Sequence, residues 1–234
     1  FSASTLLGTN IVYSVIISMI SVFFIAFLLE RVYISAIRSS EVVLLISTFA
    51  IVMFCQELMV LLWTPYPQPF PAFVEGTVSI FGVVIRSQQV LAFIIPMVMI
   101  VCLYIFISKS RFGKAMRAVS QDAEAAMLMG INVEKVYAIT CGLSMLLSAT
   151  AAILISPLSA IDPRMGWLPL ITGISIVILG GLGSLLGSLL ASFIVGYAET
   201  TVAYLLTSQW RGIVSLILIL IVLIIRPKGL LGRE

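Results

Sequence analysis

Long apolar runs constrain the fold of this chain more than any other feature of its sequence. Four such runs occupy residues 10–29, 42–63, 90–108 and 136–155. A helix of about 20 apolar residues crosses the hydrocarbon core of a bilayer, so each run is a candidate membrane span. Of the 234 residues, 61% are hydrophobic and only 10% are charged, a composition that excludes a soluble domain. The sequence therefore predicts an all-α, polytopic transmembrane helix bundle, with residues 1–234 as a single domain.

The segment from Leu170 to Leu206 is too long for one span and too short for two spans joined by an ordinary loop. Its glycines are Gly180, Gly181, Gly183 and Gly187. We predict a descending segment to Leu179, a tight glycine turn and a rising helix from Leu185; the alternative is one broken or re-entrant helix. The spacing of the small residues up to Ala191 favours helix packing over contact with a substrate. With a last span at residues 212–225, the chain has seven predicted crossings.

The connections between the spans differ in character. Residues 30–41 form a short polar turn that carries Arg31 and Arg38. The connection 64–89 opens with PYPQPFP, a run that lacks amide donors and cannot form a helix. Residues 73–85 are compatible with either a short hairpin or an interfacial helix, and the pattern does not choose between them.

The longest polar interruption is residues 109–135, which we call the central loop. It carries five of the 13 Lys and Arg residues: Lys109, Arg111, Lys114, Arg117 and Lys135. A solvated linker that only holds the topology would account for these charges, which also suit contact with anionic lipid headgroups. The loop contains in addition the signals of a short, separate helix, and a linker does not need them.

Capping residues divide the central loop into a helix, a stop and a new start. Ser120 or Asp122 can cap the N-terminus, and Glu124 lies in the first turn, where the helix dipole favours an anion. Gly130 is placed to end this helix in the left-handed conformation, and Asn132 is placed to cap the next one. The loop is therefore expected to contain its own capped helix.

One face of the predicted loop helix is apolar. Ala123, Met127 and Ile131 are spaced four residues apart, which brings them to the same side of a helix. Helices that lie in a groove of a partner protein use anchors at this spacing. We therefore predict that a partner docks on the central loop.

The central loop also carries a family resemblance. Glu124-Ala125-Ala126, followed after three residues by Gly130-Ile131, resembles the EAA loop of the permeases of ABC importers. Three strings resemble, more narrowly, the branched-chain amino acid permeases of the LivH and LivM type: RFGKAMRAVSQDAEAAMLMGINVEK, ILGGLGSLLGSLLASFIVGYAET (178–200) and IIRPKGLLGRE (224–234). The likeness extends from about Asn10 to the C-terminus, with the three strings in order.

The resemblance implies a membrane-spanning subunit of an ATP-driven importer of branched-chain amino acids. Its implied partners are two cytoplasmic ATPases that hold ATP and Mg²⁺, a second permease subunit (identical or different) and an external substrate-binding protein. This chain itself would need no cofactor and catalyse no reaction. The implied ATPase contacts are Asp122, Glu124, Ala125, Ala126, Met127, Gly130 and Ile131. Related permeases carry urea, short amides or other amino acids, which are alternative substrates.

Positive charge orients the predicted spans. With a cytoplasmic C-terminus, the inner segments hold ten Lys and Arg residues and the outer segments hold three, Arg86, Arg164 and Arg211. Because inner loops are enriched in these residues, we predict a multi-pass protein of the inner or plasma membrane with a cytoplasmic C-terminus. The chain begins at Phe1 without the basic segment of a signal peptide, and we expect further spans to precede it.

Two glutamates, Glu57 and Glu199, lie within apolar runs. Such residues usually face a bundle interior or a water-filled cavity, which makes them candidates for a substrate path or a proton relay. The alternative is a structural role near a span end, with a hydrogen bond to a neighbouring helix. Because ATP supplies the free energy in an ABC importer, we expect that neither glutamate titrates during transport.

Other function classes have little support in the sequence. The chain has no histidine, and its three cysteines lack CxxC spacing, so no metal site is predicted. Motifs of intramembrane hydrolases such as HExxH are absent, and a net charge of +3 does not indicate nucleic-acid binding. An ion-coupled secondary carrier is the remaining alternative. It would require paired ionisable residues near the midplane, and it leaves the capped helix of the central loop unexplained.

Overall fold

The computed structural model describes residues 11–38, 41–62, 66–80, 82–181, 183–207, 210–226 and 229–230. The chain start, Trp63, Thr64, Lys228 and the last residues of the C-terminal string lie outside this part. The described residues form two compact units, within Phe1–Asp162 and Pro163–Glu234. Each unit has its own hydrophobic cluster of buried side chains. The single domain remains a prediction.

The first unit consists of helices and one small hairpin. Its elements are α1 (Ile11–Leu29), α2 (Glu41–Leu62), β1 (Thr77–Ile80), β2 (Val83–Arg86), α3 (Ser87–Lys109), α4 (Arg111–Gln121), α5 (Ala123–Leu128) and α6 (Val133–Ile155). Helix α1 packs along α6, and α3 contacts both α4 and α6. The two helices of the central loop, α4 and α5, also contact α6. The central loop is therefore packed against the beginning of a long apolar helix.

Three helices form the second unit: α7 (Trp167–Gly180), α8 (Leu185–Leu205) and α9 (Arg211–Ile225). Each contacts the other two. Leu179, Ala191 and Val195 are buried at the centre of this unit. The segment that carries Gly180, Gly181, Gly183 and Gly187, which we call the glycine segment, separates α7 from α8 at the predicted turn. One broken or re-entrant helix remains the alternative.

Among the described residues, five helices are long and apolar enough to cross a membrane, and these support the predicted polytopic bundle. Helices α7 and α9 are also apolar but contain only 14 and 15 residues. At about 1.5 Å per residue they are shorter than a hydrocarbon core of about 30 Å. The count of seven crossings therefore remains a prediction.

The polar turn predicted at residues 30–41 is wrong for its first part. Helix α1 continues through a π-helical segment, Glu30–Ile34, and a further helical turn, Ser35–Ile37. The side chain of Glu30 is buried and forms an ion pair with Arg38, eight residues further on. This pairing keeps polar residues inside a helix, where the sequence pattern suggested a turn.

The open alternative at residues 73–85 resolves into a hairpin. Strands β1 and β2 are antiparallel, with Val78 opposite Ile85. The amide of Ser87 donates to the carbonyl of Gly76 at 3.1 Å, which extends the pairing to the start of α3. In the Pro-rich segment before the hairpin, Gln68 exchanges two backbone hydrogen bonds with Ile161, at 2.9 and 2.8 Å.

Candidate coupling site and polar clusters

The central loop begins with a sharp reversal after α3. Ser110 is extended, and its hydroxyl accepts a hydrogen bond from the amide of Gly113 at 2.8 Å, which caps α4. Gly113 is buried against α3: a Cβ at this position would lie 2.6 Å from the Cα of Ile107. Only glycine permits this approach of the two backbones. The sequence interpretation did not single out Gly113, although it is the glycine in the string RFGKAM.

Asp122 separates the two loop helices and caps the second. Its backbone is extended, and its carboxylate accepts from the amide of Ala125 at 2.9 Å. Ser120, the other predicted cap, instead donates its hydroxyl to the carbonyl of Arg117. Glu124 lies in the first turn of α5, where the partial positive charge of the helix N-terminus favours a carboxylate.

Helix α5 ends in a Schellman motif centred on Gly130. The amide of Ile131 donates to the carbonyl of Ala126 at 3.1 Å, and the amide of Gly130 donates to the carbonyl of Met127 at 2.9 Å. Gly130 has φ +83°, the left-handed conformation predicted for it. These two bonds satisfy carbonyls that the helix end would otherwise leave without partners.

The short helix α5 has one buried and one exposed side. Ala126 is buried in a cluster with Val119, Val133 and Val136. The next three residues are apolar and exposed: Met127, Leu128 and Met129 are 62%, 89% and 84% exposed. Residues 127–129, which we call the exposed apolar tip, form a large apolar surface in a polar loop.

The predicted docking face needs a correction. Ala123 and Ile131 pack against the cluster around Ala126, so the chain itself covers two of the three anchors spaced four apart. Met127 alone of the three is exposed. The spacing identified a real apolar stripe on α5. The buried part of this stripe packs against the protein's own helices, and the exposed apolar tip lies beside the stripe.

Helix α5 is joined directly to the start of α6. The side chain of Asn132 caps α6 by accepting from the amide of Lys135 at 2.9 Å, as predicted. Val133 and Val136, in the first turn of α6, are buried in the same cluster as Ala126. Helix α5 is therefore connected to α6 through both the backbone and packed side chains.

Glu199 joins the three helices of the second unit. Its carboxylate accepts hydrogen bonds from the hydroxyls of Thr172, at 2.9 Å, and of Ser215. Thr172 belongs to α7, Glu199 to α8 and Ser215 to α9. The two hydroxyl residues were not singled out in the sequence, because only the fold brings them to Glu199.

The glycine segment brings α7 and α8 into backbone contact. A Cβ on Gly180 would lie 2.6 Å from the carbonyl carbon of Gly187, and both residues are buried. Gly181 and Gly183 have positive φ values, 95° and 83°. The amide of Leu230 donates to the carbonyl of Leu179 at 2.8 Å, so Leu230 packs beside this segment.

Glu57 is in a different environment from Glu199. It lies in the later half of α2, and its side chain is exposed. Because no carboxylate is stable against lipid without compensation, this part of α2 is expected to face water or another protein. The roles of Glu57 and Glu199 in a pathway remain predictions.

A further polar cluster was missed in the sequence. The guanidinium of Arg38 pairs with Glu30 and stacks on the ring of Tyr137, 3.8 Å from its centre. A cavity of about 230 Å³ beside the pair is also lined by Asn132 and Lys135. The contacts join the end of α1 to the start of α6 and involve residues too far apart for a local pattern. Among the described residues, no group of three metal-ligating side chains occurs.

Comparison with known proteins identifies the family. A family model described as "Branched-chain amino acid transport system / permease component" matches residues 1–223. The chain belongs to this family. Its relatives include the high-affinity branched-chain amino acid transport system permease proteins BraD of Pseudomonas aeruginosa and LivH of Escherichia coli K12, which are 34% and 30% identical over 212 residues. Both alignments cover 88% of this chain and 69% of the relative.

The chain is also similar, over part of its length, to permeases with other named substrates. The fructose import permease protein FrcC of Rhizobium meliloti is 31% identical over 137 residues, which is 55% of this chain and 38% of that protein. No solved structure matches the chain. Membership of this permease family confirms the resemblance inferred from the three strings and supports a multi-pass membrane protein.

Proposed function

We propose that the chain is a membrane-spanning permease subunit of an ABC importer that carries leucine, isoleucine and valine. The observation that carries the proposal is the exposed apolar tip on a capped helix, within a chain of the permease family. Apolar side chains this exposed in an aqueous loop favour a protein partner. The named activity of the relatives BraD and LivH supports the choice of substrate.

The proposed partners are two ATPases, a second permease subunit and an external binding protein. A family described as one component of a transport system supports a multi-subunit assembly. The ATPases hold ATP and Mg²⁺ and perform the hydrolysis, and this chain contributes the membrane path. The excess of inner Lys and Arg supports a cytoplasmic location for the central loop and the C-terminus.

In this mechanism the central loop transmits the motion of the ATPases. Residues Met127 to Met129 seat in a groove of the ATPase, and Asp122, Glu124 and Gly130 keep α5 in shape for that contact. Closure of the ATPases on ATP displaces α5. The cluster around Ala126 passes the displacement to α6, which packs along α1. The bundle then opens to the opposite side of the membrane.

The test is uptake by proteoliposomes that contain the full-length chain with its partner subunits. We expect radiolabelled leucine, isoleucine and valine to accumulate only when two conditions are met. ATP must be present on the side of the membrane where the ATPases lie, and the binding protein must be present. Uptake without ATP, driven by an imposed ion gradient, would contradict the proposal and favour a secondary carrier. ATP-driven uptake of urea or an amide, but of no branched-chain amino acid, would support the ABC-importer mechanism and contradict the proposed substrate.

A further inference from the structure

A pocket of about 310 Å³ lies beside the hairpin in the first unit. We call it the hairpin pocket; its lining includes Val74, Glu75, Arg86, Gln88, Pro157 and Leu158. Its size is at the lower end of the range of roughly 300–1,000 Å³ that is typical of small-molecule sites. None of these residues was assigned a role by the sequence or by the family resemblance.

The floor of the hairpin pocket is held by a buried amide. Gln88 is only 2% exposed. Its Nε2 donates to the carbonyl of Leu154 at 3.1 Å, and its Oε1 accepts from the amide of Phe73 at 3.2 Å. One side chain thus joins the start of α3, the end of α6 and the segment before the hairpin. Because both bonds are buried or half-buried, they hold the pocket in a defined shape.

The hairpin places one acid and one base on the same pocket. Arg86, the last residue of β2, lies opposite Thr77, the first residue of β1. Glu75 precedes the left-handed Gly76, whose φ is 111° and whose carbonyl binds the amide of Ser87. This turn returns Glu75 to the pocket that Arg86 also lines.

The two charges do not neutralise each other. Glu75 and Arg86, both among the described residues, do not form an ion pair with each other, as Glu30 and Arg38 do. The rest of the lining is largely apolar and includes Val74, Pro157 and Leu158. The hairpin pocket therefore offers a carboxylate, a guanidinium and an aliphatic wall to one ligand.

We propose that the hairpin pocket binds a zwitterionic α-amino acid with an aliphatic side chain. Glu75 accepts hydrogen bonds from the ligand's ammonium group, the guanidinium of Arg86 pairs with its carboxylate, and the apolar wall covers its side chain. The inference rests on the proposed function and adds a substrate contact on the external side, where the positive-inside distribution puts the connection between α2 and α3.

The test is equilibrium binding of radiolabelled L-leucine to the full-length chain, assembled with its partner subunits in lipid nanodiscs without ATP or binding protein. Leucinamide, which lacks the carboxylate, and N-acetyl-leucine, which lacks the ammonium, serve as competitors. Each is expected to bind the wild type about tenfold more weakly than leucine, the scale of a lost charged hydrogen bond.

The variants assign each half of the ligand to one residue. Glu75→Gln should weaken the binding of leucine about tenfold. In this variant N-acetyl-leucine should bind as well as leucine, because the ammonium group no longer has a carboxylate partner in the pocket. Arg86→Gln should weaken leucine similarly and remove the penalty for leucinamide. Arg211→Gln, which removes an exposed cation of the second unit, is the matched control and should leave all three affinities unchanged.

Any of three binding results would overturn the proposal. They are no leucine binding to the wild type, leucine affinity unchanged in both variants, or analogue penalties that persist in both. If both variants slow the uptake that depends on the binding protein but leave the affinity for leucine unchanged, the proposal is also overturned. The hairpin would then be assigned to the docking of the binding protein. ATP-driven uptake of leucine by the wild type is measured in parallel, so that failure of the pocket is distinguished from failure of the proposed function.

Discussion

The amide of Ile131 donates to the carbonyl of Ala126 across the left-handed Gly130, at 3.1 Å. This bond closes the end of α5, and both side chains belong to the hydrophobic cluster that covers the start of α6. Residues 126–131 therefore end one helix and connect it to the next. A short helix is marginal by itself, so this connection is what gives α5 a fixed orientation.

Gly130→Ala is expected to loosen the end of α5. An L-residue in the left-handed region costs about 1–2 kcal/mol, so the local opening of the loop should become about tenfold more frequent. Hydrogen exchange of the central loop in the purified full-length chain measures this directly. Gly166→Ala is the control, because Gly166 has φ −74° and open space around it. Equal exchange in both variants would show that the Gly130 turn does not order the loop.

Arg38→Met is expected to destabilise the first unit by about 1–3 kcal/mol. It leaves the buried carboxylate of Glu30 without its cation and removes the stacking on Tyr137. Arg31→Met removes an exposed cation of the same segment and should change stability little. The midpoint of thermal unfolding in detergent compares the two variants. Equal midpoints would mean that the ion pair adds nothing to the packing of α1 on α6.

Glu199→Ala is expected to cost more stability than Glu199→Gln. Glutamine keeps an oxygen that accepts from Thr172 and Ser215, whereas alanine leaves the buried Ser215 hydroxyl without a partner, at about 1–3 kcal/mol. Thermal unfolding of the full-length chain measures the difference.

The same glutamates test whether a proton moves during transport. ATP-driven uptake should persist in Glu199→Gln and in Glu57→Gln, because neither carboxylate has to titrate when ATP supplies the free energy. Loss of uptake in either variant, with the ATPase still coupled to the permease, would identify that carboxylate as part of the transport step.

Gly180→Ala is expected to destabilise the second unit by about 1–3 kcal/mol through overpacking. Its methyl group would lie 2.6 Å from the carbonyl carbon of Gly187, and backbone atoms cannot move aside cheaply. Gly196→Ala on α8 is the matched control, because nothing lies within 4 Å of its Cβ position. The fraction of protein that remains monodisperse after heating reports the difference. An equal loss in both variants would argue against close packing at the glycine segment.

Local chemistry made much of the central loop predictable. Asp122, Gly130 and Asn132 act on backbone groups within a few residues, so their roles follow from capping rules alone. The four long apolar runs likewise predicted helices α1, α2, α3 and α6, whose observed bounds differ from the runs by at most a few residues. These features depend on short-range interactions and on the length of a bilayer span.

The remaining features depend on which surfaces the fold brings together. Spacing placed Ala123 and Ile131 on one stripe, but it could not indicate that the protein's own helices cover that stripe. Arg38 reaches Glu30 because a π-helical segment continues α1, and Glu199 meets Ser215 only through the packing of α8 on α9. No local pattern encodes these contacts.

The central claim is that an ATPase docks on the exposed apolar tip. Affinity purification of the tagged, full-length chain in mild detergent tests it most directly, with wild type, Leu128→Asp and the control Gln121→Asp compared. Both variants add one negative charge at an exposed position of the central loop. We expect two ATPases and a second permease subunit to co-purify with the wild type and the control, and the ATPases to be lost from Leu128→Asp. Equal recovery of the ATPases with Leu128→Asp would contradict the claim.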